Sequence, residues 1–572
     1  MAFQISPGVS VSEVDLTTVV PSVSTTAGAF VGDFQWGPAE KRTLITTESE
    51  LSSVFETPSA NVASNSGTAN TGISFFSAAN FLAYGNNLQV VRAIGTSTIN
   101  STSGNTALLL KSEDSYDNGF TANSYHGTFG ARYAGSLGNS LKVSVCTANA
   151  VNGFSTWTYK SNFAGTPSTT PYVSSYGGAN DQIHIAVIDE DGLFTGTKET
   201  VLEVFSYVSQ APDAKYDDGT PAYWKTVLRN NSKYVYALNN TAAFSANTDS
   251  TAAEHAGTVY TPAFGTVTYS MTNGISTNAV AANIQTGLDL FANKDEVDIS
   301  LIITGDGFDT TTQNYATNIA KTRMDCVAFV SPLQGQVVGQ SASAATTAVT
   351  AWAASLSSTS YAVADSGWKY QYDKYNNIYR WIPLNGDMAG LCVRTDDTTD
   401  PWFSPAGYSR GGVKNVVKLA WNPNQAQRDT IYSAAVNPVV SLPGQGTLLF
   451  GDKTLTTQPS AFNRINVRRL FIVLEKSISN ASKFSLFELN DEFTRAQFVA
   501  LVEPFLRDVK GRRGVYDYRV VCDSSNNTQA VIDNNRFVGD IYIKPARSIN
   551  YIQLNFIATR SGVQFSEIVG GA

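Results

Sequence analysis

The chain has 572 residues, 42% hydrophobic and 15% charged, with a formal net charge of −8 at pH 7. Because a single hydrophobic core rarely grows beyond about 300 residues, this length predicts several domains. The first ten residues lack the basic and apolar stretches of a signal peptide. No apolar run approaches the roughly 20 residues that cross a membrane. We therefore expect a soluble protein with no stable membrane insertion.

The charge is distributed unevenly along the chain. Residues 401–572 contain 20 Lys and Arg against 13 Asp and Glu, whereas residues 1–400 contain 19 against 34. A basic C-terminal third joined to an acidic remainder predicts two surfaces with different neighbours. Nucleic acid is one anionic partner for such a region, and an acidic protein surface is another, because the basic residues are scattered rather than clustered.

An alternating segment opens the chain. Phe3, Ile5, Val9 and Val11 fall on one face of a predicted strand and polar residues on the other. A proline ends the segment, and no hairpin partner follows it. Since an isolated amphipathic strand exposes unpaired backbone groups, we expect residues 1–22 to be an arm that pairs with another segment.

Strands and helices alternate in two stretches that flank a segment of different character. The predicted elements are a strand at 26–34, helices at 49–55 and 73–84, a strand at 88–94, then a strand at 297–304, a helix at 312–323 and a strand at 326–330. This alternation is typical of a three-layer α/β domain. We expect a discontinuous α/β middle domain formed by residues 23–95 plus 286–400.

The intervening residues 96–285 are rich in Ser, Thr, Asn, Gly and Tyr. Strand patterns at 141–145 and a hairpin pattern at 183–205 predict a β-rich insertion of one or two domains. Its aromatic residues could form platforms for carbohydrate binding; the candidates are Tyr223, Trp224, Tyr234 and Tyr236.

The remaining residues predict a basic C-terminal domain at 401–548 with helices at 425–435, 465–478 and 491–509. The last helix is predicted to have Asn490 as its N-cap and to end at Lys510-Gly511. In a final strand, Ile552, Leu554 and Phe556 alternate with polar residues, so residues 549–572 are predicted to be a second arm.

The last predicted helix is followed by a small basic group, Lys510, Arg512 and Arg513. Cations at a helix C-terminus interact favourably with its dipole and are available to an anionic partner. Phosphate is one such partner, and the surface of a neighbouring protein is the one we favour.

Residues that perform catalysis or bind metals are few. The chain has three histidines and four cysteines, all far apart in sequence, and no nucleotide-binding or nucleophile motif. His184 lies in an alternating pattern that indicates an ordinary strand residue. Two carboxylate clusters, Asp306 with Asp309 and Asp396 with Asp397 and Asp400, could each hold a hard cation. Neither has the spacing of an EF-hand loop, so solvated loops are the favoured interpretation. We expect no enzyme activity, no cofactor and no metal.

Several motifs occur in a fixed order in the two terminal regions. They are SPGVSVSE (6–13), SPAGYSRG (404–411), WNP (421–423), PGQG (443–446), LFGDK (449–453), SAFNRINVRR (460–469), FTRAQF (493–498) and INYIQLNF (549–556). With these motifs the sequence resembles the contractile tail sheath proteins of myovirus-type bacteriophages, whereas residues of about 148–283 do not align with that family.

The resemblance implies a non-enzymatic late protein of the virion, assembled in the host cytoplasm. Its subunits are expected to polymerise as homo-hexameric rings in a helix around the tail tube. Contraction then drives the tube through the host envelope for genome ejection. The expected partners are other copies of the chain, the tail tube protein, and the baseplate and tail terminator proteins, without direct contact to nucleic acid.

The resemblance also assigns roles within the chain. We expect an α+β multidomain fold with a C-terminal sheath core, the discontinuous middle domain, outer insertions and two arm strands. The arms would join neighbouring subunits by strand addition, and Lys510, Arg512 and Arg513 would face the tube. The alternative is a tail-associated adhesin or carbohydrate-binding protein.

Overall fold

The computed structural model describes residues 25–60, 70–119, 126–148, 153–238, 244, 256–261, 264–550 and 552–553. The chain divides into two compact units, the body (Met1–Leu486) and the C-terminal unit (Phe487–Ala572). In the ranges that the structure describes, no helix combines the length and the apolar composition needed to span a membrane.

The strands are, in chain order, β1 (Gly28–Asp33), β2 (Thr43–Ile45), β3 (Leu88–Ala93), β4 (Phe129–Ala131), β5 (Leu141–Thr147), β6 (Gln182–Asp189), β7 (Thr200–Ser209), β8 (Val235–Ala237), β9 (Thr266–Ser270), β10 (Leu301–Ile303), β11 (Val327–Val330), β12 (Ala362–Asp365), β13 (Trp368–Asp373), β14 (Ile378–Pro383), β15 (Lys418–Leu419), β16 (Val436–Asn437), β17 (Val439–Leu442), β18 (Gly446–Leu449), β19 (Val515–Val521) and β20 (Asp540–Pro545). The α-helices are α1 (Glu48–Phe55), α2 (Thr71–Leu82), α3 (Glu113–Gly119), α4 (Pro171–Ser175), α5 (Trp224–Asn231), α6 (Ala281–Asp289), α7 (Thr310–Arg323), α8 (Gln334–Val337), α9 (Ala342–Ser355), α10 (Asn385–Thr398), α11 (Gln425–Ser433), α12 (Ile465–Ser482), α13 (Glu492–Gly511) and α14 (Gln529–Asp533).

The body is built on a seven-stranded sheet with the order β16-β12-β11-β10-β1-β3-β2. All its strand pairs are parallel except β2–β3. The central strands are buried along their whole length. A parallel sheet is covered on both faces, which is why these strands occur as continuous apolar runs rather than alternating ones.

Helices cover the two faces of this sheet. Successive residues of a strand point to opposite faces, and Gly28 of β1 lies against Phe81 of α2 whereas Val31 lies against Gly287 of α6. In both cases a glycine allows the close approach of helix and strand, since a Cβ atom there would lie within 3 Å of its neighbour. The mixed α/β fold class predicted from the sequence is confirmed.

One edge of the sheet is supplied by residues far along the chain. β16 pairs with β12 through Ala364 and Val436, and Arg469 of α12 forms a buried ion pair with Asp396 of α10. These contacts join residues 401–486 to the preceding part of the body. The predicted start of a C-terminal domain at residue 401 stays a prediction, and the compact division of the structure falls after Leu486.

Antiparallel sheets form where the insertion is predicted. β5, β6, β7 and β9 pair in the order β7-β6-β5-β9, and β4 pairs with β8. The predicted hairpin at 183–205 is β6–β7, which pairs Asp189 with Thr200. A separate apolar cluster that includes Val143, Val187 and Trp224 holds these strands together.

The C-terminal unit combines α13 with the antiparallel pair β19–β20. Asp491 caps α13 by accepting a hydrogen bond from the Thr494 backbone N–H at 2.8 Å, so a cap at Asn490, as the sequence pattern indicates, is wrong by one residue. The helix ends at Gly511, as predicted. Its buried side chains include Val502 and Leu506.

Candidate assembly surfaces

The β19–β20 pair presents open edges. Its register joins Tyr518 to Ile543 and Val521 to Asp540, and the Tyr518 hydroxyl donates to the Glu503 carbonyl of α13 at 3.3 Å. Among the described residues of the C-terminal unit, no further strand pairs with this sheet. Unpaired backbone groups along a sheet edge form a template for another strand.

The predicted arms lie almost wholly outside the described residues. This applies to Phe3, Ile5, Val9, Val11, Leu554 and Phe556. Ile552 is described and is 78% exposed, and Ile549 is 83% exposed. The arm assignments therefore stay predictions.

The basic group at the end of α13 is paired within its own unit. The Lys510 Nζ lies 2.8 Å from Asp517 Oδ1, and the Arg512 guanidinium lies 3.6 Å from Asp508. The Lys510 ammonium holds the pKa of the Asp517 carboxyl below its usual range. Arg513 follows in a left-handed conformation, with φ at 68°. The i, i+4 spacing of Asp508 and Arg512 is a sequence signal for their pairing. The pairing of Asp517 with Lys510 has no such signal, because it depends on the turn between α13 and β19.

The basic excess of the C-terminal third lies in the body. Residues 401–486 contain 10 Lys and Arg against 3 Asp and Glu, whereas residues 487–572 contain 10 of each. Most of those cations lie over aromatic rings; the pairs include Arg410 over Phe403, Lys414 over Tyr84, Lys418 over Tyr370, Arg428 over Phe450, Lys453 over Tyr432, Arg464 over Tyr432 and Arg468 over Phe462. An aromatic ring carries no net charge and does not neutralise the cation above it. The net positive charge of this part of the body therefore favours acidic neighbours.

The aromatic platform predicted in the insertion is wrong. Trp224 is 5% exposed and Tyr236 is fully buried, while Tyr223 and Tyr234 pack against the insertion's apolar cluster. Tyr236 stacks on Tyr116 with ring centroids 4.2 Å apart. Composition alone does not separate a buried aromatic cluster from an exposed one, and here the rings supply the core between short strands.

The strand role predicted for His184 is confirmed. It lies buried in β6, where its Nε2 is 2.8 Å from the Gly165 carbonyl and its Nδ1 accepts from the Tyr207 N–H at 3.0 Å. These bonds require the neutral ring with its proton on Nε2. Burial lowers the pKa of His184, which favours that neutral form.

The solvated-loop interpretation of the carboxylates is wrong for Asp396 and Asp400. Asp396 lies on α10 and is buried against Arg469, and Asp400 is 8% exposed. Asp306 lies in the turn after β10, where it is half-buried, and burial raises its pKa to about 7. Asp309 caps α7 by accepting from the Thr312 N–H. Within the described ranges, no group of three or more His, Cys, Asp or Glu residues has the geometry to hold a metal ion.

The β13–β14 hairpin has an exposed aromatic face that was not predicted from the sequence. Tyr372 and Tyr379 are 46% and 49% exposed, and their rings are 5.2 Å apart. The strands alternate aromatic and polar residues, which is the signal for two distinct faces. In most half-buried antiparallel sheets the apolar face packs against the core. Applied to this hairpin, that rule would bury Tyr372 and Tyr379, which are exposed.

Two family models match consecutive parts of the sequence. Residues 277–455 match the phage tail sheath protein central domain, and residues 457–559 match the phage tail sheath C-terminal domain. These stretches hold the second half of the body's sheet and the C-terminal unit.

Curated relatives extend the similarity to the whole chain. The sequence is 33% identical to the tail sheath protein of Vibrio phage KVP40, over 99% of this chain and 100% of that protein. It is likewise 33% identical to the tail sheath protein of Enterobacteria phage T4, over 99% of each chain. The crystal structure of a sheath tail protein from Listeria innocua shares the fold, with a TM-score of 0.54 and 10% identity over 92% of this chain and 93% of that chain.

Proposed function

Because the chain belongs to the phage tail sheath family, we propose that it is the structural subunit of a contractile tail sheath. Subunits polymerise as stacked hexameric rings in a helix around the tail tube, and contraction drives the tube through the host cell envelope for genome delivery. The observation that carries this proposal is the 33% identity to two tail sheath proteins over nearly the full length of each.

In this proposal the arms, residues 1–22 and 549–572, link neighbouring subunits by adding strands to β19–β20. Strand addition satisfies the backbone groups of an open edge, and the alternating side chains set the register. About five inter-chain hydrogen bonds contribute roughly 1 kcal/mol each. Each buried apolar side chain, such as Leu554 or Phe556, adds about 1.5–3 kcal/mol. Links of that strength hold while weaker lateral contacts are exchanged during contraction.

The other proposed partners are the tail tube, the baseplate and the tail terminator. Lys510, Arg512 and Arg513 are the residues proposed to face the tube. Exposed ion pairs such as Lys510–Asp517 are weak and screened by salt. They can therefore exchange for pairs with an acidic tube surface and be released when the sheath contracts.

The two rival functions have less support. An adhesin built on the insertion needs exposed rings, and Trp224 and Tyr236 are buried instead. The curated relatives are tail sheath proteins, which supports a structural rather than an enzymatic role. The proposed protein is a component of the virion that assembles in the host cytoplasm, without direct contact to nucleic acid.

Electron microscopy of the purified chain tests the proposal. Negatively stained samples are expected to contain hollow, helically striated cylinders with six subunits per ring. A preparation that stays monomeric at concentrations of tens of micromolar, with and without tail tubes, contradicts the proposal.

Deletion of residues 1–22 tests the role of the N-terminal arm separately. The truncated chain is expected to keep the tryptophan fluorescence of the full-length protein, because the described core of the body, from Ala29 to Ile472, is retained. It is also expected to form no ordered cylinders. Cylinders indistinguishable from those of the full chain would rule out the arm as a link.

A further inference from the structure

The β13–β14 hairpin of the body is inverted relative to an ordinary surface sheet. Its inward face carries polar and charged side chains; Lys369, Gln371, Asp373 and Arg380 are all at most 3% exposed. Its other face carries four aromatic rings, Tyr370, Tyr372, Tyr379 and Trp381, which we call the aromatic ladder. Tyr372 and Tyr379 are exposed, whereas Tyr370 and Trp381 are half-buried. In a half-buried antiparallel sheet the apolar face normally lies against the core and the polar face in water.

The polar side chains of the inward face have buried partners. Lys369 Nζ lies 2.9 Å from the Asp387 carboxylate of α10, and Arg380 pairs with Asp373 at 2.5 Å. The Gln371 side-chain carbonyl accepts from the Asn80 amide of α2 at 2.9 Å. These buried partners fix which face of the hairpin points inward, because turning it over would leave buried charges unpaired.

The outward rings form one continuous row. Tyr372 and Tyr379 have ring centroids 5.2 Å apart, Tyr370 and Tyr379 5.5 Å, and Tyr370 and Trp381 4.7 Å. Single exposed rings are common on protein surfaces, but a contiguous aromatic row marks an interaction site. Tyr and Trp are also the residues most enriched at the centres of protein interfaces.

The charge beside the aromatic ladder indicates what covers it. On the neighbouring strand β15, Lys418 Nζ lies 5.0 Å from the centre of the Tyr370 ring and 5.6 Å from that of Trp381. Lys418 has no ion-pair partner among the described residues. It belongs to residues 401–486, with 10 basic and 3 acidic residues, whereas residues 1–400 of the same chain have 19 basic and 34 acidic. The excess of 15 acidic residues in that part of the sequence means that another copy of the same chain can supply an anionic partner for Lys418.

We propose that the aromatic ladder and Lys418 form an interface that docks an acidic surface of a second copy of this chain. The inference rests on the proposed function, since only a polymer brings the two surfaces together in every copy. The two surfaces differ, so the contact is head-to-tail, and such contacts generate helical assemblies.

Removal of the exposed rings tests the proposal. The double variant Tyr372→Ser/Tyr379→Ser is expected to raise the critical concentration for sheath assembly about tenfold, because interface aromatics carry much of the binding energy. Sedimentation measures assembly, and circular dichroism checks that the monomer is folded. The matched control is Tyr176→Ser, which removes a tyrosine that is 62% exposed in the insertion.

The outcomes separate this inference from the proposed function. If the unaltered chain forms no sheath, the proposed function fails. If it does, and the double variant assembles at the same critical concentration, the ladder is not an interface. Photo-crosslinking decides the occupant directly: p-benzoylphenylalanine in place of Tyr379 is expected to yield crosslinked dimers of the chain in assembled sheaths, and its failure to do so overturns the proposal.

The charge at the interface is tested with Lys418→Glu. This variant is expected to raise the critical concentration about threefold at low salt, with the difference lost at about 0.5 M salt, where charges are screened within a few ångströms. An unaltered critical concentration at low salt overturns the acidic occupant. Binding of the unaltered chain to a glycan array that is lost in Tyr372→Ser/Tyr379→Ser would assign the ladder to a carbohydrate instead.

Discussion

The body and the C-terminal unit differ in how much of their surface they bury within themselves. The body encloses a parallel sheet whose central strands are buried throughout, with helices on both faces. The described part of the C-terminal unit has one two-stranded sheet. Elsewhere in this unit, Phe487, Leu489 and Phe493 are at least 76% exposed. A two-stranded sheet with open edges is marginally stable unless other elements pack against it.

This difference indicates which part of the molecule depends on its neighbours. A domain of fewer than about 90 residues buries a smaller fraction of its surface, so it gains more from added strands or packed partners. We therefore expect the body to hold its conformation in a monomer and the C-terminal unit to gain stability if the chain assembles as proposed. Mutations in the two units should therefore be separable by experiment.

The largest expected effect is on the body's core. Phe81→Ala removes a fully buried ring that lies against β1 and should lower the free energy of unfolding by about 3–5 kcal/mol. All eight tryptophans lie within residues 1–486, so tryptophan fluorescence during denaturation reports on the body alone. Leu44→Ala, at a residue that is 49% exposed, is the control and should change the value by less than about 0.5 kcal/mol. Equal effects of the two would show that the sheet core does not carry the body's stability.

The next largest effect is on the C-terminal unit. Leu506→Ala empties a fully buried position on α13 and should cost about 2–4 kcal/mol, enough to unfold a marginal unit. Hydrogen exchange in residues 487–553 should rise while the tryptophan signal of the body stays unchanged. Loss of the body's transition in the same variant would mean that the two units unfold together.

The stability of the two units should change with pH in opposite directions. Burial raises the pKa of Asp33, Asp306 and Asp365, to about 6, 7 and 8. A carboxyl whose pKa is raised by folding stabilises the folded state at low pH, and this contribution is lost as pH rises through the folded value. The body should therefore lose stability between about pH 4 and pH 8, by up to about 1.4 kcal/mol per pH unit for each such group.

Asp365→Asn isolates one of these groups. Asp365 accepts from Ser331 and from the Gly367 N–H, and an amide cannot ionise, so the variant should gain stability relative to the unaltered chain as pH rises towards 8. Fluorescence-monitored denaturation from pH 5 to pH 9 measures this. A difference that does not change with pH would exclude Asp365 as a titrating group.

The C-terminal unit should respond in the opposite direction. Hydrogen bonds from Thr494 and Ser525 lower the pKa values of Asp491 and Asp523. The stabilisation from such groups is present above their unfolded pKa and is lost as pH falls through the folded value. The protection of amides in residues 487–553, taken relative to the intrinsic exchange rate at each pH, should therefore decrease on acidification below about pH 4.

The fold was predictable where the signal is local and repeated. Continuous apolar runs identified β1 and β3, and helical spacing identified α2, α7 and α12. The edge strand β16 could not be identified, because two residues give no periodicity and its pairing with β12 is set by contacts some 70 residues apart in sequence.

The candidate surfaces were less predictable, because they depend on which face of an element is covered. In the insertion, Trp224 and Tyr236 suggested an exposed platform and are buried. In the hairpin, Tyr372 and Tyr379 are exposed because Lys369 and Arg380 find buried partners on α10 and β13. Such partners lie on other elements, so alternation in one strand cannot identify the covered face.

The smallest expected effect concerns the basic residues at the end of α13. Reversal of Lys510, Arg512 and Arg513 to Glu should raise hydrogen exchange in the last turn of α13, where the pairs with Asp508 and Asp517 are lost. Exchange around the buried residues Val502 and Leu506 should stay unchanged. Co-sedimentation with tubes of the cognate tail tube protein should fall several-fold at low salt, and the difference should vanish at about 0.5 M salt.

The control variant reverses three exposed lysines of the insertion, Lys160, Lys198 and Lys233. It changes the net charge by the same amount at sites that are not proposed to face the tube. If both triple variants weaken tube binding equally, the effect follows overall charge, and the end of α13 is not the contact. A loss confined to the α13 variant would place the tube contact on the C-terminal unit, the part of the chain that is least complete on its own.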